Sequence, residues 1–217
     1  MTLMNEPAVR SWRPAALLCI AMMVSIGRAS AQEAEQQRID AAVAAVSRLQ
    51  NALVEASSLS SVTGRFEALH PEITATHNLE YIGQLTVRRH WRDFTAEQRS
   101  EFLNRFKSLS VMTYAARFAD VTDASFQLHG AEEIGDGRIQ VQTSIGRADG
   151  SRVPIDYTLQ QDDEQPNGTG TWRIVNVIAD GVSDLALKRA EYRALLDAHG
   201  FDGLLEDLEA QTAAMAE

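Results

Sequence analysis

Apolar residues recur at helical spacing through the first part of the chain. Over residues 32–57, Ile39, Val43, Val46, Leu49 and Leu53 form one stripe, with Gln, Arg and Asp on the other faces. That pattern predicts an amphipathic helix. The Ser-rich stretch 57–61 with Gly64 ends it. A short segment over 66–73 follows, and Pro71 is expected to interrupt it. Asn78 is a cap for a helix over 79–90. Thr95 and Gln98 have the T-x-x-Q spacing of a capping box, and the helix they open is expected to run to about Ala119. Phe102, Phe106, Leu109, Thr113 and Ala116 lie along one stripe of that helix.

After Asp120 the period changes from 3.6 to 2. Phe126 and Leu128 alternate in a first strand. Ile139, Val141, Thr143 and Ile145 alternate with polar neighbours in a second, and Val153, Ile155, Tyr157 and Leu159 do so in a third. Between these two, Ala148-Asp149-Gly150-Ser151 is hairpin-turn chemistry. A polar loop over 161–170 leads to a strand over 172–178, apolar on both parities and so expected to be central or covered. Ser183 caps a closing helix that Gly200 stops, and a last helix runs over 203–215. Helices, then strands, then helices predict an α+β domain, with helices packed on one face of a curved antiparallel sheet.

Composition narrows the class. The chain has 217 residues, a net charge of −10 and one Cys. That length suits one domain, the acidity argues against nucleic acid as a partner, and the Cys count excludes a disulfide framework. Arg10 and Arg13 precede an apolar run over 15–26, and Ala29-Ser30-Ala31 offers small residues at a cleavage site before Gln32. These are the parts of a cleaved export signal over 1–31, leaving a single domain over 32–217. The run is shorter than the ~20 residues that span a bilayer. Leu18 before Cys19 does not fit a lipoprotein signal. Cleavage removes the only Cys and leaves a more acidic chain, suited to an oxidising, exported location. In a double-membraned cell that location is the periplasm.

Catalytic patterns are missing from the sequence. No H-E-x-x-H, G-x-S-x-G or phosphate-binding loop occurs, and Gly135-Asp136-Gly137 is a turn without a third glycine. His70, His77, His90, His129 and His199 have no metal-ligand spacing, so surface or capping roles are expected for them and no metal or cofactor. The basic cluster Arg88, Arg89, Arg92 around His90 and Trp91 suits a helix C-terminus. It also suits a contact with anionic headgroups or an acidic partner. A large apolar inventory, from Phe102 to Tyr192, can fill a core as well as line a cavity.

The stretch HWRDFTAEQRSEFLNRFKSLSVMTYAARF, residues 90–118, resembles the signature of the MlaC/toluene-tolerance family of periplasmic lipid-binding proteins. Its matching positions are Trp91, Thr95, Gln98, Arg99, Phe102, Phe106, Thr113, Tyr114 and Ala115. GRIQVQTSI, the turn at Asp149-Gly150, IDYTL and WRIVNVIADGVSDLALKRAEY continue the likeness over about residues 78–208. The ending resembles the hopanoid-biosynthesis-associated (HpnM) branch. The chain departs from the pattern at His77-Asn78, where Phe-Asp is expected.

The resemblance implies an NTF2-like fold, a curved antiparallel sheet of about four to five strands whose helices enclose an apolar cavity. It implies a monomeric lipid carrier, not an enzyme, holding phospholipid or hopanoid. Its implied partners are an inner-membrane lipid transporter, of the MCE/ABC or RND type, and an outer-membrane lipoprotein complex. On this reading the strand residues Val141, Ile145, Val153, Ile155, Tyr157, Trp172 and Ile174 face Tyr81, Leu85, Phe102, Phe106, Leu109 and Tyr114 across the lipid. Arg88, Arg89 and Arg92 contact a headgroup or partner. Two other classes stay open. A ligand-free envelope adaptor predicts a filled core. An NTF2-like isomerase or hydratase needs a titratable pair projecting into a cavity, and Asp156 and Tyr157 point to opposite faces of a strand.

Overall fold

A computed structural model describes residues 15–119, 126–146, 149–162 and 170–216, with side chains from residue 32 onward. The chain divides into two units, Met1–Arg38 and Ile39–Glu217. The export signal expected over 1–31 lies outside the described residues, except that the backbone from Ala15 belongs to helix α1, Ala15–Ser57. No helix among the described residues is long and apolar enough to cross a membrane.

In the second unit, Val46, Leu49 and Leu53 of α1 are buried, as their spacing requires. Helix α2, Val62–Thr76, starts on the Ser61 hydroxyl, which accepts from the Gly64 N–H. Contrary to expectation, α2 runs through Pro71. The ring sits on the exposed side, where water can take up a freed carbonyl, while Leu69 and Ile73 are buried on the other. Arg65, also buried on α2, donates to the carbonyls of Ala115 and Leu59 at 2.7 and 2.8 Å. It thereby satisfies the carbonyl end of the next long helix.

Helix α3, Leu79–Val87, is capped by Asn78, whose Oδ1 accepts from the Tyr81 N–H at 3.0 Å. It stops short of His90 because Arg88 takes a φ of 37°, which a helix cannot hold, and a 3₁₀ turn Arg88–Arg92 follows. Helix α4, Ala96–Arg117, has the full capping box of Thr95 and Gln98. Gly83 lets α3 approach α4 closely, since a Cβ there would stand 2.9 Å from Leu103 Cδ2.

The sheet is five antiparallel strands in sequence order: β1 Phe126–Gly135, β2 Arg138–Gly146, β3 Arg152–Gln161, β4 Trp172–Ala179 and β5 Val182–Ser183. The fold class is therefore α+β, as predicted. Asp136-Gly137 and Asp180-Gly181 close two-residue hairpins, both residues at positive φ in each. Strand β1 is longer than its apolar pattern suggested, because as an exposed edge it carries Glu132 and Glu133 and has an irregularity at His129. Strand β5 escaped the pattern by being two residues long. A parallel bridge from His77 to Ile174, with the Asn78 N–H donating to the Ile174 carbonyl at 3.0 Å, ties the α2–α3 junction to the sheet. The last element, α5 Asp184–Ala216, kinks at Gly200 (φ 68°), where the sequence predicted a stop. Ser183 caps it, its hydroxyl accepting from the Ala186 N–H at 3.2 Å.

Candidate functional site

Helix α4 packs against α2, α3 and α5, and its two halves meet different surroundings. Phe102 and Phe106 stack at 5.9 Å between ring centres, and Tyr192 of α5 meets both edge-on at 6.3 and 6.4 Å. Phe94 joins Phe102 at 6.3 Å and Phe201 at 4.8 Å. This half is solid. Beyond Phe106, the same face offers Ser110, Thr113, Tyr114, Arg117 and Phe118, spaced three and four apart, and here the packing opens.

The opening is a cavity of about 350 Å³ whose walls are predominantly apolar. Ile155 and Tyr157 of β3 and Val177 and Ala179 of β4 form one side, with Leu79 and Ile82 of α3 and Leu185 of α5 on others. Val182 and Leu187 also line it while each is 57% exposed, so they mark its mouth. Lys188 stands there bonded to Asp184 at 2.8 Å. At the inner end, His77 is only 3% exposed. Its Nε2 lies 2.9 Å from the Tyr114 hydroxyl and its Nδ1 3.1 Å from Thr76 Oγ1.

Of the residues expected to hold lipid, Phe106, Tyr114, Ile155 and Tyr157 stand on this wall. Phe102, Leu109, Val141, Ile145, Trp172 and Ile174 are buried in the core, and Val153 packs against it. Leu85 is half-buried on α3, and its carbonyl accepts from Arg189 Nε at 3.2 Å. Tyr81 lines a separate polar hollow of about 250 Å³ with Lys107 and Arg173, which reaches His77 from the other side. Arg88, Arg89 and Arg92 lie on the 3₁₀ turn, away from the cavity wall. Arg89 is held by Asp197 of α5 at 2.7 Å.

His77 corrects the expectation of a surface or capping role for every histidine. Its backbone does cap α2, donating to the Ile73 carbonyl, but its ring is buried between the two hollows. A polar residue in place of an expected Phe carried no periodic signal, and only the departure from the family pattern could have drawn attention to it. Burial pushes its pKa down to about 4, against smaller opposing effects of the Ile73 backbone, which hydrogen-bonds the ring, and of Asp184. Burial pushes the Tyr114 hydroxyl well above its ordinary value, with Tyr157 and Asp184 adding to the shift. The pair thus stays neutral, arranged for hydrogen bonding rather than for ionisation. Among the described residues, no group of His, Cys, Asp and Glu is placed to hold a metal.

The α+β fold thus leaves an apolar cavity between the helices and the sheet, with a mouth of exposed apolar side chains and a neutral polar pair inside, which is the form of a ligand pocket with apolar walls. The MlaC protein family profile matches residues 43–210, and the chain belongs to that family. It is 26% identical over 133 residues to the intermembrane phospholipid transport system binding protein MlaC of Haemophilus influenzae, covering 61% of each chain. The chain thus spans about three fifths of that curated relative's length. Its fold is similar to the phospholipid-binding protein of Ralstonia solanacearum, solved in complex with a phospholipid. The TM-score is 0.68 at 20% identity, over 82% of this chain and 98% of that one.

Proposed function

We propose that the chain is a non-enzymatic lipid carrier that holds the acyl part of a phospholipid in the cavity between α4 and strands β3 and β4. The observation that carries this is the cavity itself, apolar within and rimmed by exposed Val182 and Leu187, in a member of the MlaC family. An adaptor without ligand predicts a filled core, and this end of the core is hollow. The relatives named for phospholipid transport and phospholipid binding point to the same ligand class.

The physics of such a carrier needs no catalytic group. Acyl chains resist water by ~0.8 kcal/mol per methylene, so two chains of sixteen carbons face roughly 25 kcal/mol on leaving a bilayer. A dry cavity removes most of that barrier and, being about as apolar as the membrane, leaves net transfer near neutral. Direction then comes from partners in the inner and outer membranes. In this reading the export signal over 1–31 delivers the chain to the periplasm, and Arg88 and Arg92, exposed on their turn, face an anionic headgroup or partner. The cavity stands at the small end of ligand sites, ~300–1,000 Å³, so a two-chain lipid enters as the walls move apart. A hopanoid, being rigid and single-bodied, is the second ligand to test.

Native mass spectrometry of the protein purified from its own periplasm, with organic extraction, tests the proposal. The expected result is a mass increment matching a phospholipid. Val177→Trp, which fills the β4 side of the cavity, should lower lipid occupancy about tenfold or more in a folded protein. Full occupancy in that folded variant would remove this cavity as the lipid site.

A further inference from the structure

The hydroxyl protons on the α4 wall can be traced one by one. Thr76 has a single hydroxyl proton, and it goes to the Glu72 carbonyl at 2.7 Å. Toward His77 Nδ1, 3.1 Å away, Thr76 Oγ1 therefore offers a lone pair, so Nδ1 carries the ring proton. A neutral imidazole has only one such proton. Its Nε2 is then an acceptor, and the Tyr114 O–H donates to it at 2.9 Å. Burial holds the ring neutral, which keeps this arrangement through the neutral range. Two more hydroxyls on the wall are spent in the same way: Ser110 donates to the Phe106 carbonyl at 2.7 Å and Thr113 to the Leu109 carbonyl at 2.8 Å. The charged donors, Arg117 and Lys188, stand near the mouth.

We infer that the α4 wall meets its ligand with acceptor oxygens whose protons are already committed, and that Tyr114 thereby favours lipids carrying a hydroxyl on the part that enters the cavity. An ester carbonyl or ether oxygen brought to Tyr114 would set acceptor against acceptor. A hydroxyl would complete the line, ligand O–H to Tyr114, Tyr114 to His77, His77 to Thr76, Thr76 to the Glu72 carbonyl, with every proton used once. The Phe expected at position 77 could not accept, and Tyr114 would then be free to turn its proton into the cavity. His77 acts as a positioning residue, by taking that proton. The inference rests on the reading of the cavity as a lipid site and deepens it by naming the chemistry of the guest.

The test is equilibrium binding of the full chain to stearate, to hydroxystearates with the hydroxyl at successive chain positions, and to the methyl ethers of those hydroxystearates. At the position that reaches Tyr114, the hydroxy acid should bind about fivefold more tightly than its ether, the ratio one hydrogen bond gives. Tyr114→Phe keeps the ring and removes the acceptor, so the ratio should fall to about one. His77→Phe frees the tyrosine proton to donate, so the ether should gain and the ratio should fall to one or invert. A ratio of one at every position in the wild-type protein would overturn the inference while stearate binding left the lipid reading in place. Failure of every probe, stearate included, would overturn both. A ratio unchanged in folded Tyr114→Phe would remove Tyr114 from the role. The wild-type positional series decides the matter even where a variant does not fold.

Discussion

One helix supplies both the most solid and the most open part of this molecule. The first half of α4 sends Phe102 and Phe106 into a ring cluster with Phe94 and Tyr192, and only Phe106, at its end, also borders the cavity. The second half presents Ser110 and Thr113 at the same facing positions, and the sheet does not close over them. Both halves are α-helical and both face inward, so secondary structure does not distinguish them. The difference is side-chain volume and where the hydroxyl protons go. Short side chains bonded back to their own helix leave a hollow without leaving unsatisfied donors. Along α4 the hollow is thus marked by the small, self-satisfied Ser110 and Thr113, while larger side chains such as Phe106, Tyr114 and Phe118 form the rest of that wall.

The largest test of that contrast is Phe102→Ala. In the solid half it should cost ~3–5 kcal/mol in denaturant unfolding, because its neighbours cannot collapse into the space. A cost under 1 kcal/mol would mean that this half is as yielding as the other. The next is acidification at the hollow end. The unfolded chain takes up a proton at position 77 near the ordinary histidine value of 6.5, and the folded one only near 4. His77 therefore contributes nothing to the pH dependence above about 6.5, and stability falls as pH drops from there toward 4, by ~3 kcal/mol in all. Urea titrations of the wild type and His77→Phe at several pH values should show that much less loss in the variant. Parallel curves would break the assignment.

The smallest effects should differ in sign. Tyr192, in the solid half, has a buried hydroxyl with no hydrogen-bond partner among the described residues. Tyr192→Phe should be neutral or raise stability by up to ~1 kcal/mol. Tyr114→Phe, at the hollow end, strands the His77 Nε2 acceptor and should cost ~1–2 kcal/mol. Equal effects from the two deletions would show that the two halves do not differ in polar satisfaction.

Much of the architecture was legible in the chain. The Thr95–Gln98 box, the Asn78 and Ser183 caps, the Gly200 break and the alternation of β2 and β3 are local signals, each written within a few residues. What escaped was decided from a distance. Helix α2 continues through Pro71 because Leu69 and Ile73 are held by other elements. β1 gave little alternation because an edge strand buries little on either face.

The candidate site divides along the same line. Phe106, Tyr114, Ile155 and Tyr157 line the cavity, yet Phe102, Leu109 and Ile174, with the same apolar character and spacing, lie in the filled core. Periodicity says which side of an element faces inward, and the sequence by itself determined that much, with the caps, the turns and the family. It carries nothing about how far apart two inward faces stand. Volume left over between α4, β3 and β4, and the burial that makes His77 an acceptor for Tyr114, are sums over residues far apart in the chain. Only the tertiary structure could decide them.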